Sequence, residues 1–294
     1  MMSQQQEALG TRQTNARRLT MKSWAVTAQV LRQRRDRIAV LDLVGFFHWL
    51  GDMNMEVIKK GLPPLPCKLG CSYCCYIPVD MLAPLPPEVF RIATFLGDES
   101  EVPLAEVKAR LKEANLLTRS MTDEERGTTR VRCPFLAQDR CLIYPVRPMG
   151  CRAHYSLDAE ACRKNYFDKG EMIPVPRDPE LLYKSLQTGM RLGLEEIGLQ
   201  SASSALTGAL LIALEEPDTF EWWLNGGLVF EKVKLPDEAD EERLLAQFAR
   251  QAKRQVRGER RRLQKVTAMF LEKAGAWASY STDPKGFLQP LGSC

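Results

Sequence analysis

The chain has 294 residues, of which 45% are hydrophobic and 27% charged, with 9 cysteines and a formal net charge of +4 at neutral pH. A chain of this length buries a core of its own and needs no disulfides merely to stay folded, while the lack of any run of about 18 uninterrupted apolar residues argues against a membrane span. The small charge excess predicts no polyanionic partner by itself, and an opening rich in Gln and Arg, unlike a secretory leader, points to a reducing compartment, most simply the cytoplasm. Residues 8–35 carry Arg12, Arg17, Arg18, Arg32, Arg34 and Arg35 without an acid, a composition that organelle targeting segments share.

Residues 1–20 are polar without an apolar period and are expected to be disordered. Residues 21–62 form an N-terminal helical segment. There Val26 and Val30, then Ile38, Leu41, Val44, Phe47 and Leu50, recur at helical spacing, as one helix or as two joined near Arg34 to Arg37. His48 lies in this apolar pattern and reads as a core or contact residue. Gly61 stops the helix, and Pro63, Pro64 and Pro66 hold the following chain extended. Residues 63–170 form a cysteine-rich region. Inside it, Tyr76 to Leu82 suggests a short strand, Pro86 and Pro87 open a helix to about Leu96, and Asp98 or Ser100 caps another containing Leu104, Val107 and Leu111. Residues 118–132 read as an exposed loop. The stretch from Cys133 to Cys162 has little periodicity and reads as irregular chain held by what it binds. Residues 171–275 are helical again, through Leu181, Leu182, Leu186, Met190 and Leu194, then Leu206, Leu210, Leu211 and Leu214, then a helix end at Trp222 to Leu224. A last helix spans about Glu238 to Ala274, and residues 276–294 form a tail. The expected class is mainly α: a bundle-like helical body with an irregular, metal-bearing cysteine layer and little strand.

Four cysteines, Cys67, Cys71, Cys74 and Cys75, fall within nine residues, and Cys133, Cys141, Cys151 and Cys162 form a second group of four; Cys294 stands apart. Such crowding means metal ligands or disulfides, and a reducing compartment favours metal. Thiolates are soft donors that select zinc or iron–sulfur clusters over magnesium or calcium, and sulfur ligands alone do not separate those two. The two-residue gap between Cys71 and Cys74 lets one turn aim both sulfurs at a metal, and Cys67 can join them. Cys75 fits less easily, because neighbouring side chains usually diverge. The expectation is two metal centres, or one polynuclear centre, assembled from both groups. Arg147 and Arg152 flank Cys151, where they would offset thiolate charge and donate hydrogen bonds to sulfur, or hold a substrate carboxylate or phosphate. Tyr144 is expected to pack, and His154 to stand beside the ligands rather than among them.

The segment Cys67 to Cys74 fits C-x3-C-x-aromatic-C, which resembles the cluster motif of radical S-adenosylmethionine enzymes. The recurring strands of their partial barrel are missing here. CKLGCSYCC, followed by CPFL at Cys133, CLIYPVRPMGCR at Cys141 and finally Cys162, resembles the CxxCxxCC cysteine-cluster family (YkgJ-type proteins) over about residues 64–165. The first gap is three residues, where the family name implies two. The resemblance implies zinc or iron chelation. Because the family includes flagellin lysine N-methylase, it also implies a possible S-adenosylmethionine-dependent methyl transfer to a protein side chain. A zinc-stapled interaction module and an electron-transfer or metal-handling protein are the alternatives.

Arg250, Lys253, Arg254, Arg257, Arg260, Arg261, Arg262 and Lys265 make the last helix cationic. Without interleaved aromatic residues this reads as a solvated face rather than a nucleic-acid site, and a protein partner or protein substrate is the readier expectation.

Overall fold

A computed structural model describes residues 4–68, 70–99, 103–168, 172–235, 267–270, 272–273 and 276–277. Helix α1 (Gln4–Gln33) runs back through the opening expected to be disordered. That stretch is dominated by Gln, Ala, Arg and other good helix formers, and Arg12 within it pairs with Asp178 at 3.2 Å. The chain breaks where the sequence suggested. Asp36 accepts a hydrogen bond from the Ala39 N–H at 2.8 Å and starts α2 (Arg37–Lys59). Every residue from Ala39 to His48 is buried, so this stretch of α2 is covered on all sides and His48 is a core residue.

After α2 the prolines lead into two 3-10 turns, Tyr73–Tyr76 and Val79–Leu82, in place of the strand expected over Tyr76 to Leu82. Two features override the strand-like composition: Pro78 offers no N–H to a ladder, and Asp80 is drawn into the core. Asp80 accepts hydrogen bonds from the Thr207 N–H at 2.8 Å and from the hydroxyls of Thr207 and Thr118. Prolines then open α3 (Pro86–Thr94), as expected, and a π-helical turn over Phe95–Glu99 continues it. The next helix, α4 (Leu104–Thr118), starts from Pro103 rather than from Asp98, which lies in the π turn; Ser100 is outside the described residues. The segment read as an exposed loop contains a short helix, α5 (Asp123–Thr128), started by a reciprocal Thr122–Glu125 cap.

Strands β1 (Leu136–Ala137) and β2 (Arg140–Cys141) make one small antiparallel hairpin. Short helices α6 (Met149–Ala153) and α7 (Ala159–Asp168) follow. Then come α8 (Arg177–Glu196), α9 (Leu206–Glu215) and α10 (Thr219–Leu224), each where periodicity placed it. The described residues are therefore mainly helical, with a single two-stranded sheet. No described helix is long and apolar enough to cross a membrane. Residues 238–266 of the expected last helix, with its cationic face, lie outside the described residues, as does Cys294; toward its expected end at Ala274, residues 267–270 are helical. Two aromatic residues beyond that gap, Phe270 and Trp277, are buried against Phe46, with ring centroids 5.4 and 4.9 Å away.

Helix α8 is the spine, packed against α1, α2 and α6, while α9 packs on α3 and α4. Its approach to α1 depends on glycine. A Cβ at Gly189 would come within 2.4 Å of the Thr20 carbonyl oxygen, and one at Gly193 within 2.5 Å of Thr27 Cβ. Two glycines four apart thus let the α1 and α8 backbones touch.

Candidate metal centre

The first cysteine group is folded by local turns. Gly70 takes a left-handed φ of 88°, the Cys71 N–H donates to the Lys68 carbonyl at 3.0 Å, and the Cys75 N–H to the Ser72 carbonyl at 2.8 Å. Cys74 and Cys75 share a single 3-10 turn. The second group is stitched to the first through the main chain: Val131 N–H donates to the Tyr76 carbonyl at 3.0 Å, and Cys133 N–H to the Cys75 carbonyl at 2.7 Å.

The hairpin sets Cys141 opposite Leu136 across a two-residue turn. That turn has left-handed φ values at Gln138 (48°) and Asp139 (59°), the geometry that matches strand twist but favours Gly or Asn. Asp139 also accepts from the Ser72 hydroxyl at 2.8 Å, tying the hairpin tip to the first group. Cys151 rides on α6. A Cβ at Gly150 would stand 2.7 Å from the Leu82 carbonyl oxygen, so only glycine lets this helix sit so close to the Val79–Leu82 turn. Cys162 rides on α7, whose Tyr166 ring packs on Tyr76 and Tyr73 at 4.8 and 5.9 Å. Ser156 joins the ends of the two groups: its N–H donates to Cys67 Sγ at 3.3 Å, and its side chain hydrogen-bonds Cys162.

The eight cysteines are all free thiols, Cys67 and Cys74 toward the surface and the others half-buried. Burial pushes Cys67, Cys133, Cys141 and Cys162 above the ordinary thiol range, and Cys151 to about 12. Cys74 is pushed up chiefly by a hydrogen bond with Cys75, and next by the protein around its sulfur. The two neighbours lie close enough on their shared 3-10 turn to act on one another. Cys74 lies within electrostatic range of Cys67, Cys133, Cys141, Cys151 and Cys162, and Cys67 and Cys71 also reach Cys162.

Among the described residues, no three His, Cys, Asp or Glu side chains are grouped tightly enough to hold a metal ion. The segment gathers the sulfurs into one neighbourhood without closing them on a point. The donor set itself fits a soft metal, since thiols from both groups share that neighbourhood. A cation lies among them. Burial works against the charge of Arg147, yet Tyr144, Cys151, Cys141 and Tyr155 hold its pKa above the usual arginine value. Its guanidinium lies 3.9 Å from the Tyr144 ring centroid, and its Nε is buried with no hydrogen-bond partner among the described residues. Tyr144 is half exposed, so it packs as a cover over Arg147 rather than as a core residue.

Arg152 sits differently from its sequence neighbour. It is buried, its Nη1 donates to both Asp52 oxygens at 3.1 Å, its Nε donates to the Arg147 carbonyl at 3.1 Å, and its Nη2 donates to the Pro145 carbonyl. Asp52 in turn accepts from the Tyr183 hydroxyl at 2.9 Å. His154 is exposed at the end of α6, and the charge that reaches its ring belongs to Glu180 rather than to a thiol. Behind these residues His48 is kept neutral: burial, then Arg152, Arg91 and Arg147, press its pKa well below the ordinary value.

The supports that sequence reasoning missed are long-range. Glu88, fully buried, accepts from the Met149 N–H at 2.7 Å, the Leu85 N–H at 2.9 Å and Gln187 Nε2 at 3.0 Å. One carboxylate thereby satisfies the N-termini of α3 and α6 together. Burial nevertheless raises its pKa against those donors. Nothing in the local sequence marks Asp52 or Tyr183, and Glu88 was marked only as a residue opening α3, not as a tie to α6.

These features define a mainly helical protein that presents a thiol-dense segment folded by short turns, a construction suited to chelating soft metals. Residues 66–171 match the model of the CxxCxxCC family, described as "Putative zinc- or iron-chelating domain". The match supports metal chelation and covers the region that resembled this family in the sequence. No curated protein and no solved structure matches the chain.

Proposed function

We propose that this protein chelates zinc or an iron–sulfur cluster through thiolates drawn from Cys67, Cys71, Cys74, Cys75, Cys133, Cys141, Cys151 and Cys162. The observation that carries this reading is the direct joining of the two groups. Cys133 is hydrogen-bonded to Cys75 through the main chain, and Cys74 lies within electrostatic reach of sulfurs from both groups. A soft ion would replace the thiol protons and draw the sulfurs inward. If that ion is zinc, closure supplies folding free energy on the order of 10 kcal/mol. If it is an iron–sulfur cluster, the centre carries electrons or exposes an iron to a ligand. Methyl transfer to a protein substrate, with S-adenosylmethionine as donor, rests on the family resemblance alone.

Anaerobic purification followed by zinc, iron and acid-labile sulfide analysis tests the reading. The expected result is stoichiometric metal that falls by at least half in Cys74→Ser. Stripping with a chelator should then open residues 67–77 and 133–168 to protease while the surrounding helices stay resistant. A reduced, oxygen-free preparation carrying neither metal, yet equally resistant throughout, sinks the reading.

A further inference from the structure

We infer that Arg147 is a built-in hydrogen-bond donor to the sulfurs of the loaded centre, aimed by Arg152 and covered by Tyr144. The inference rests on the metal-chelating reading and goes beyond it, because it separates two arginines that the sequence places side by side. Arg152 spends its donors on Asp52 and on the carbonyls of Pro145 and Arg147, so it is a brace. By holding the Arg147 carbonyl, it fixes the main chain from which the Arg147 side chain departs.

Arg147 has a different set of neighbours. Its guanidinium plane lies against Tyr144, its Nε is buried without an acceptor among the described residues, and Cys67, Cys74, Cys141 and Cys151 all feel its charge. A buried N–H left without a partner costs stability. Neutral thiols are poor acceptors, whereas metal-bound thiolates are good ones. Loading the centre would therefore give this donor its partner and offset the excess negative charge of a thiolate-rich site. The planar guanidinium also keeps its charge when buried, which an ammonium group does less readily.

The test compares wild-type protein with Arg147→Gln and Arg147→Lys, each loaded with Zn2+ or Co2+ alone. Arg147→Gln should release zinc to a chromogenic chelator about tenfold faster, the size expected for losing a charge-assisted hydrogen bond. Its cobalt–thiolate charge-transfer bands should move to longer wavelength, because a sulfur without the N–H donor holds its lone pair less tightly. General loosening of the fold would speed release without moving those bands in that direction. Arg147→Lys, which keeps the charge but loses the planar fork, should fall between the two. Wild-type values in both readouts for Arg147→Gln overturn the inference, and a guanidinium serving a substrate anion would give that result. Should Arg147→Gln fail to fold, Arg147→Lys at wild-type values overturns it instead. Wild-type protein that takes up neither ion and contains no iron as isolated sinks the metal reading itself, a failure distinct from the other two.

Discussion

The helical body and the thiol-bearing segment are held together in different ways. The body relies on contact: α8 lies against α1 through Gly189 and Gly193, α2 is covered on all sides from Ala39 to His48, and the Phe46, Phe270 and Trp277 rings interlock. The thiol-bearing stretches, residues 67–82 and 131–162, are made of 3-10 turns, a two-residue hairpin, a five-residue helix and the start of α7, none of which is stable alone. They are held by polar side chains that tie them to the helices: Asp80 of the Val79–Leu82 turn to the start of α9, Glu88 of α3 to the start of α6, and Asp52 of α2 to Arg152. A region that cannot hold its shape by burial alone needs directional bonds, and metal–sulfur bonds would be the strongest of these.

Breaking the body should have the largest effect. In Gly189→Leu the new side chain meets the Thr20 carbonyl, and we expect a loss of about 4 kcal/mol, the upper end for overpacking, measured by urea unfolding. A loss below about 1 kcal/mol would mean that the two helices separate easily and the comparison is misdrawn.

Breaking the polar supports comes next. Glu88→Ala strands the Met149 and Leu85 N–H groups and should cost about 3 kcal/mol. Glu88 also has a pH signature. Because burial raises its carboxyl, the native state holds this proton more tightly than the unfolded chain does. The stability it contributes is full below the ordinary glutamate range and is lost as pH climbs through the raised value. The unfolding midpoint of wild type should fall relative to that of Glu88→Gln as pH rises, because the amide stands in for the protonated carboxyl and does not titrate. A constant offset would remove Glu88 from the account.

The smallest effect should be a gain. Gln138→Gly relieves a left-handed backbone at the hairpin tip and should stabilise the protein by about 1 kcal/mol, read from thermal unfolding. A loss instead would show that the Gln138 side chain supports the turn in some other way.

The same division explains what the sequence disclosed. The join near Arg34 to Arg37, Pro86 opening α3 and the leucines of α8 were legible because their signals are local and periodic. The crowding of cysteines was legible for the same reason, and so was the family resemblance. Asp80 turned an expected strand into a 3-10 turn by bonding Thr207, more than a hundred positions away, and no local pattern reports that. Arg152 likewise looked like a twin of Arg147 until Asp52 was found opposite it. Helix α1 extended back to Gln4 through a stretch with no apolar stripe, where helix propensity outweighed pattern.

The position of α8 along the chain bears on biosynthesis. Tyr183 and Gln187, which fasten Asp52 and Glu88, both lie C-terminal to Cys162. On the ribosome, all eight thiols of the two groups emerge before the helix that fastens their surroundings has been made. The nascent chain thus passes through a stage with its sulfurs accessible and their frame still slack. A cellular donor would find the easiest entry at that stage, and α8 would close over the result.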